Sequence, residues 1–387
     1  MNVWMNEGYF SIFHLPFSIF HFPSYSMLFP VLLILIFLFL LINLFFYISI
    51  KKAFSKKINQ VSKTKISVVV AAKNEEDNIP NLISALGNQD YDRNLFEVII
   101  VDDNSSDKTY ERTQQLISGK KNFSVIKADL KTLPGKKGAL TIGIKRTKYD
   151  FIMITDADCT PQKDWIKTYS GIFSKGFDFI FGVAPFNKEN SFINNLSCFE
   201  NIRSSILTFT AAIIGLPYSA AARNFGFKKS SFEKIKGYSN TLETLSGDDD
   251  LLLREAVKNK MKIGLAADKN SFVYSKTKNN LKDYLRQKAR HTETSLYYLL
   301  AHKLFLGFWH LLNLSFLFSP VLIFVDSIFL SLFLVKIIAD VIVVFNLQKY
   351  FGYGFNLLMI FYLQLTYEFF LILNLFGALS GKNDWRK

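Results

Sequence analysis

The sequence predicts an α/β fold, with a mostly parallel sheet flanked by transmembrane helices. Three features carry that expectation. Between residues 66 and 275, short β-branched and aromatic runs alternate with helix-length segments. From Met27 to Ile50 the chain is almost uninterrupted Leu, Ile, Phe and Val without charge. A second apolar block runs from about Leu304 to Leu379.

Each element follows from its local pattern. Ile66–Ala72 reads as a buried strand, Asn78–Asn88 as a helix, Phe96–Val101 as a strand and Asp107–Ile117 as a helix. Phe123–Lys127 is a strand, Lys137–Arg146 a helix, and Phe151–Thr155 a further strand. Such alternation demands a largely parallel sheet covered on both faces.

The Met27–Ile50 run exceeds the roughly 20 residues that cross a bilayer core. It is also too long, and too far along the chain, for a signal peptide. Residues 1–25 hold no Lys or Arg, whereas Lys51, Lys52, Lys56, Lys57, Lys63 and Lys65 follow the span. That asymmetry places the N-terminus outside and the chain from Lys51 onward in the cytoplasm, as an integral protein of the cytoplasmic (inner) membrane. The expected organisation is an interfacial segment over 1–25, a transmembrane helix over 26–50, a basic linker over 51–65 and an α/β domain over 66–280. An amphipathic interface helix over 281–303, two to three transmembrane or re-entrant helices over 304–379 and a basic tail over 380–387 complete it. Spans are expected near 305–325, 328–346 and 355–378. Three spans would export the tail, yet Lys382, Arg386 and Lys387 favour the inside. Either one segment lies in the interface or the charge rule fails at this end. Lys336 and Asp340, four apart, read as a mutual ion pair within one helix.

The net charge is +14 and half the residues are hydrophobic, with 40 Phe. The basic residues are mostly Lys, spread out, and clustered beside the span, where they meet anionic membrane lipids. No nucleic-acid motif accompanies them, so nucleic acid is excluded as a partner. Cys159 and Cys198 are too few for a metal cluster and are expected to be free thiols, with Cys159 a packing residue rather than a nucleophile.

Function should gather at strand ends and loops. Asp156-Ala157-Asp158 leaves the Phe151–Thr155 strand at its carboxyl end, where open sheets bind ligands. Paired carboxylates there suit Mg²⁺ or Mn²⁺ carrying a diphosphate; a plain polar turn is the alternative. Ala72-Lys73-Asn74-Glu75 follows the first strand. Asp102-Asp103 follow the second, where a carboxylate can accept a uracil N3–H or ribose hydroxyls, while Ser105 or Ser106 is expected to cap the next helix. Gly135-Lys136-Lys137-Gly138 opens a helix and can approach phosphate. Gly247-Asp248-Asp249-Asp250 crowds three carboxylates, the setting in which a general base is tuned, although a helix-capping acidic turn would look the same.

The strings ISVVVAAKNEEDNI, VIIVDDNSSDKT, GKKGAL, ITDADC and SGDDDLLLR, in this order over about residues 66–300, resemble membrane-bound family-2 glycosyltransferases. The resemblance implies a GT-A nucleotide-diphosphosugar transferase fold and inverting, metal-dependent sugar transfer. The donor would be a nucleotide-diphosphosugar, most simply UDP-linked, and the acceptor lipid-linked or a polysaccharide. By the same resemblance Ala72, Asn74, Glu75, Asp102, Asp103, Lys137 and Asp156 would contact the donor nucleotide. Asp158 and Asp156 would hold Mg²⁺ or Mn²⁺, and Asp248, with Asp249 as the alternative, would be the base. Gly247 stands where the family commonly has Glu. Gln287, Arg290 and His291 resemble the Gln-x-x-Arg-Trp motif of the cellulose- and hyaluronan-synthase-like branch, with His291 in place of Trp; that motif implies acceptor and diphosphate contacts. Rival expectations are a non-catalytic membrane-assembly or sensor protein that kept the fold, and a nucleotidyltransferase.

Overall fold

The computed structural model describes residues 25–55 and 62–379. Most of the expected interfacial segment, Lys56 and Lys57 of the basic linker, and the basic tail lie outside the described residues. In chain order the elements begin with α1 (Tyr25–Ser55), β1 (Ile66–Ala72), α2 (Ile79–Gly87), β2 (Phe96–Asp102), α3 (Thr109–Ile117), β3 (Phe123–Lys127) and α4 (Gly135–Arg146). Then come β4 (Phe151–Asp156), β5 (Cys159–Pro161), α5 (Trp165–Phe173), β6 (Phe179–Gly182), α6 (Phe192–Ile213), β7 (Phe225–Lys228) and α7 (Lys229–Lys234). The last are α8 (Asp250–Lys258), β8 (Ile263–Ala266), β9 (Val273–Ser275), α9 (Leu281–Ser295), α10 (Leu300–Leu317), α11 (Ile328–Leu347) and α12 (Leu357–Leu379).

Seven strands form one sheet in the order β3-β2-β1-β4-β7-β6-β8, and β5 pairs with β9 separately. All neighbours are parallel except β7, which runs antiparallel to β4 and β6. The side-chain period of two divides the sheet residues between two cores. Val68, Val70, Val98 and Ile100 pack with Leu82 of α2 and Trp165 and Tyr169 of α5. Val69, Ile99 and Val101 pack with Ala139, Leu140 and Ile144 of α4. The strands are buried on both sides, which is why they lack polar alternation. Register sets the functional edge: Ala72 lies opposite Asp102, and Ala71 opposite Asp156.

Two described helices are long and apolar enough to cross a membrane, Phe29–Ser55 and Ile328–Phe351; Leu357–Leu373 is shorter. Their outward faces are apolar. On α1 Ile34 and Phe37 are 64% and 68% exposed, and Leu330, Leu334, Ile338 and Ile342 form an exposed stripe at every fourth residue of α11. Exposed apolar surface of this extent marks contact with lipid or protein. On the inner side of α1, Phe39 stacks on Trp309 of α10 and Phe46 meets the same ring edge-on.

Lys336 and Asp340 do pair, at 2.7 Å, but within a larger buried network. Lys336 also reaches Glu368 of α12 at 2.5 Å, Gln364 donates to both carboxylates, and Arg203 of α6 reaches Asp340 at 3.0 Å. Two cations offset two carboxylates, a balance without which burial would be prohibitive. The network therefore joins α6 of the α/β domain to α11 and α12.

Two boundaries differ from expectation by more than a turn or two. The interface helix ends at Ser295 rather than 303, where the chain turns and the Tyr298 hydroxyl donates to Asp250 Oδ2 at 2.6 Å. The helix expected over 305–325 runs from Leu300 to Leu317 and gives way to a 3₁₀ turn over Ser319–Leu322, with Pro320 in its first turn.

Candidate active site

β1, β2 and β4 deliver their last residues to one sheet edge. At β1, Asn74 takes a left-handed conformation, φ 57°. Its Oδ1 accepts the Ser106 N–H at 2.8 Å, and its own N–H donates to Ser105 Oγ at 3.0 Å. These serines therefore stitch two loops together rather than capping α3, whose first turn is satisfied by Asp107 through the Thr109 N–H at 3.0 Å. The Ala72 carbonyl accepts the Asp103 N–H at 2.7 Å. Glu75 accepts from Asn78 Nδ2 at 2.8 Å. Burial pushes its carboxyl above the usual range; Asn78 opposes this, while Asp158 and Asp156 add to it.

The two carboxylates after β2 behave differently. Asp103 is ion-paired with Lys131. Asp102 accepts the Ser105 N–H at 3.4 Å through Oδ2, and its buried Oδ1 has no hydrogen-bond partner among the described residues. A buried acceptor left open in this way suits a donor from a ligand.

Lys136 occupies the centre. Its Nζ lies 2.6 Å from Asp156 Oδ1 and 2.7 Å from Asp248 Oδ2. Burial alone would lower its pKa, but the two carboxylates outweigh burial and hold it well above the ordinary value, so it stays charged. Lys137, the lysine expected to face the donor, does not reach the cleft. It is buried, with Nζ donating to the carbonyls of Thr241 and Thr244, the latter at 2.9 Å. The helical step between neighbours sends one lysine to the site and the other under the loop that carries the acidic turn. Close approach explains Gly138: a Cβ there would overlap the Leu133 carbonyl.

The acidic turn assigns a distinct place to each carboxylate. Asp249 is the N-cap of α8. It accepts the Asp250 N–H at 2.8 Å and the Ala222 N–H at 2.7 Å, and burial, then Asp250 and Asp248, push its pKa well up. Asp250 is held by Tyr298 and by the Ala220 N–H at 3.0 Å. Only Asp248 turns to the Asp156 side; burial would raise its carboxyl, but Lys136 holds it below the ordinary value. Gly247 has φ 76°, and a Cβ there would meet Leu251 and Thr294 at 2.8 and 2.9 Å, so the Glu common at this place in the family does not fit.

Asp156, Asp158 and Cys159 each present a ligand atom within 4.8 Å of the others. The two carboxylates are hard oxygen donors of the kind Mg²⁺ and Mn²⁺ take, and so fit such an ion. Cys159 offers a soft sulfur, which these hard ions favour less; without a metal, burial, then Asp156 and Asp158, raise its thiol well above the ordinary value. Cys159 and Cys198 are both free, as expected, and both are buried.

Lys136, Asp156, Asp248, Asp249 and Asp250 line a cleft of about 920 Å³ that also takes in Gln287, Arg290 and His291 of α9, whereas Asn74, Glu75, Asp102, Asp103 and Asp158 lie outside its lining. His291 is exposed at the cleft mouth; enclosure by the cleft, then Lys288 and Arg290, disfavour its charged form. Sequence reasoning missed Arg223, an isolated Arg with no motif around it. It lines the same cleft, donates to the Ala184 carbonyl at 2.6 Å and covers the Phe186 ring at 4.4 Å.

The mostly parallel sheet, with helices on both faces and an acidic edge, is a GT-A-like fold. Residues 67–236 match Glycosyl transferase family 2, and this part of the chain is a domain of that family. Over 204 residues the chain is 29% identical to the probable glycosyltransferase YdaM of Bacillus subtilis, covering 49% of this chain and 46% of that one. It is 34% identical over 110 residues to a beta-monoglucosyldiacylglycerol synthase of Trichormus variabilis, covering 28% and 24%. It is 29% identical over 126 residues to glycosyltransferase AglE of Haloferax volcanii, covering 32% and 41%. The chain thus spans less than half of each of these relatives. Among solved structures, the mannosyltransferase PcManGT from Pyrobaculum calidifontis, in complex with GDP-Man and Mn²⁺, shares the fold. Its TM-score is 0.55 at 15% identity, over 92% of this chain and 99% of that one.

Proposed function

We propose that the chain is an inverting, metal-dependent glycosyltransferase. It moves a sugar from a nucleotide-diphosphosugar, UDP-linked in the simplest reading, to a lipid-linked or polysaccharide acceptor at the cytoplasmic membrane face. The observation that carries this reading is the Lys136 bridge. One ammonium lies within 2.7 Å of both Asp156 and Asp248, which supports reading the two as donor carboxylate and base of one reaction space.

Asp102, Asp103, Asn74 and Glu75 bind the nucleoside at the sheet edge. Asp156 and Asp158 would hold Mg²⁺ or Mn²⁺, which supplies charge neutralisation for the departing diphosphate. Asp248 Oδ2 accepts the acceptor hydroxyl's proton. The hydroxyl oxygen then forms the new bond to the anomeric carbon from the face opposite the diphosphate, and the electron pair of the breaking bond leaves with the nucleoside diphosphate. Lys136 and Arg223 offer fixed positive charge where that leaving group gathers its own. Asp248→Asn keeps the shape and removes the proton acceptor, so transfer should fall by roughly 10²–10⁴ with donor affinity retained. Full transfer by Asp248→Asn would refute the assignment.

A further inference from the structure

The cleft does not stop at the carboxylates. From Asp248 it continues between the apolar helices, where Leu306, Trp309 and Leu314 of α10, Val343 of α11 and Leu371 of α12 line it. One part therefore holds carboxylates and an ammonium, and the helix-lined part is mostly apolar, with Arg203, His310 and Tyr367 among its polar side chains, within a single cavity of about 920 Å³. Trp309 is 8% exposed, so its ring reports on this interior rather than on the outer surface.

A ligand that fills such a cavity must itself change from polar to apolar along its length. A polysaccharide would leave the hydrocarbon end unmatched, since sugar hydroxyls lose their hydrogen bonds there. A hydrocarbon chain of ordinary lipid length gains free energy with every methylene placed there. We infer that the acceptor is a lipid, with its hydroxyl beside Asp248 and its hydrocarbon chain between α10, α11 and α12. This rests on the transfer reading above and narrows its acceptor to one class.

The test uses the full chain in phosphatidylcholine nanodiscs and reads quenching of Trp309 by ω-bromoundecanol. Mn²⁺-dependent UDP and GDP binding is measured by calorimetry on the same samples. The expected result is saturable quenching in the wild type that is absent in Trp309→Phe, is not produced by bromopropanol at equal concentration, and is not displaced by maltohexaose. Leu371→Arg, which charges the hydrocarbon end, and Leu371→Trp, which fills it, should each weaken bromoundecanol at least about tenfold and leave nucleotide binding unchanged. Equal quenching by bromopropanol, displacement by maltohexaose, or undiminished quenching in both Leu371 variants would overturn the inference. Because nucleotide binding is read separately, its loss in the wild type would instead count against the transferase reading.

Discussion

Lys136 Nζ stands 2.7 Å from Asp248 Oδ2, and this one ammonium decides the ionisation of the carboxylate beside it. Burial acts to raise the Asp248 pKa and Lys136 acts to lower it, with Lys136 prevailing. Removing the cation takes away the largest opposition to burial and leaves only a backbone hydrogen bond and Lys137 against it. Lys136→Gln should therefore raise the Asp248 pKa and carry the acidic limb of the kcat/KM profile to higher pH, while Lys136→Arg should keep the limb near its original place. Superimposable wild-type and Lys136→Gln profiles would show that the pair does not tune the base.

Gly247 sits at φ 76° with no room for a Cβ between Leu251 and Thr294. Restoring the family's usual residue by Gly247→Glu should destabilise the chain by about 2 kcal/mol or more, from backbone strain and overpacking together. Differential scanning fluorimetry measures it; an unchanged Tm would mean that the turn relaxes freely.

The parallel sheet and its carboxylate edge were legible because strands buried on both faces leave long β-branched runs, and Asp residues at their ends interrupt them sharply. The spacing of Asp156 and Asp158 needed no tertiary knowledge. The choice between Lys136 and Lys137 did, because adjacent helical residues differ only in which neighbour each meets, and the Thr241 and Thr244 carbonyls that capture Lys137 lie more than a hundred positions away. Arg223 was invisible for the same reason. Lys336 and Asp340 were legible as a helical pair, but their partners Arg203, Gln364 and Glu368 come from other helices.

Asp249 should separate from Asp248 by the kind of defect its loss causes. Its carboxylate caps α8 and holds the Ala222 N–H. Asp249→Asn should lower stability by about 0.5–2 kcal/mol, the usual worth of a cap, with a smaller loss of transfer than Asp248→Asn. Parallel thermal melts and transfer assays of the two variants check this. Loss of transfer in Asp249→Asn alone would move the base one residue along.

The proposed topology rests on the lysines at the end of α1 and after it. Lys52 is exposed in the last turn of α1, Lys51 is exposed just before it, and Lys63 is exposed before β1. A reporter fused after Lys63 should give a cytoplasmic signal, since basic flanks stay inside. An external signal would part the active cleft from cytoplasmic nucleotide sugars.

The account stands or falls on donor binding through the Asp156–Asp158 pair. Calorimetry of UDP and GDP with the full chain, with and without Mn²⁺, measures it directly. Binding of at least one of the two nucleotides that requires Mn²⁺ in the wild type, and weakens at least about tenfold in Asp158→Asn, is the predicted result. Nucleotide affinity indifferent to Mn²⁺ and unchanged in Asp158→Asn would contradict it.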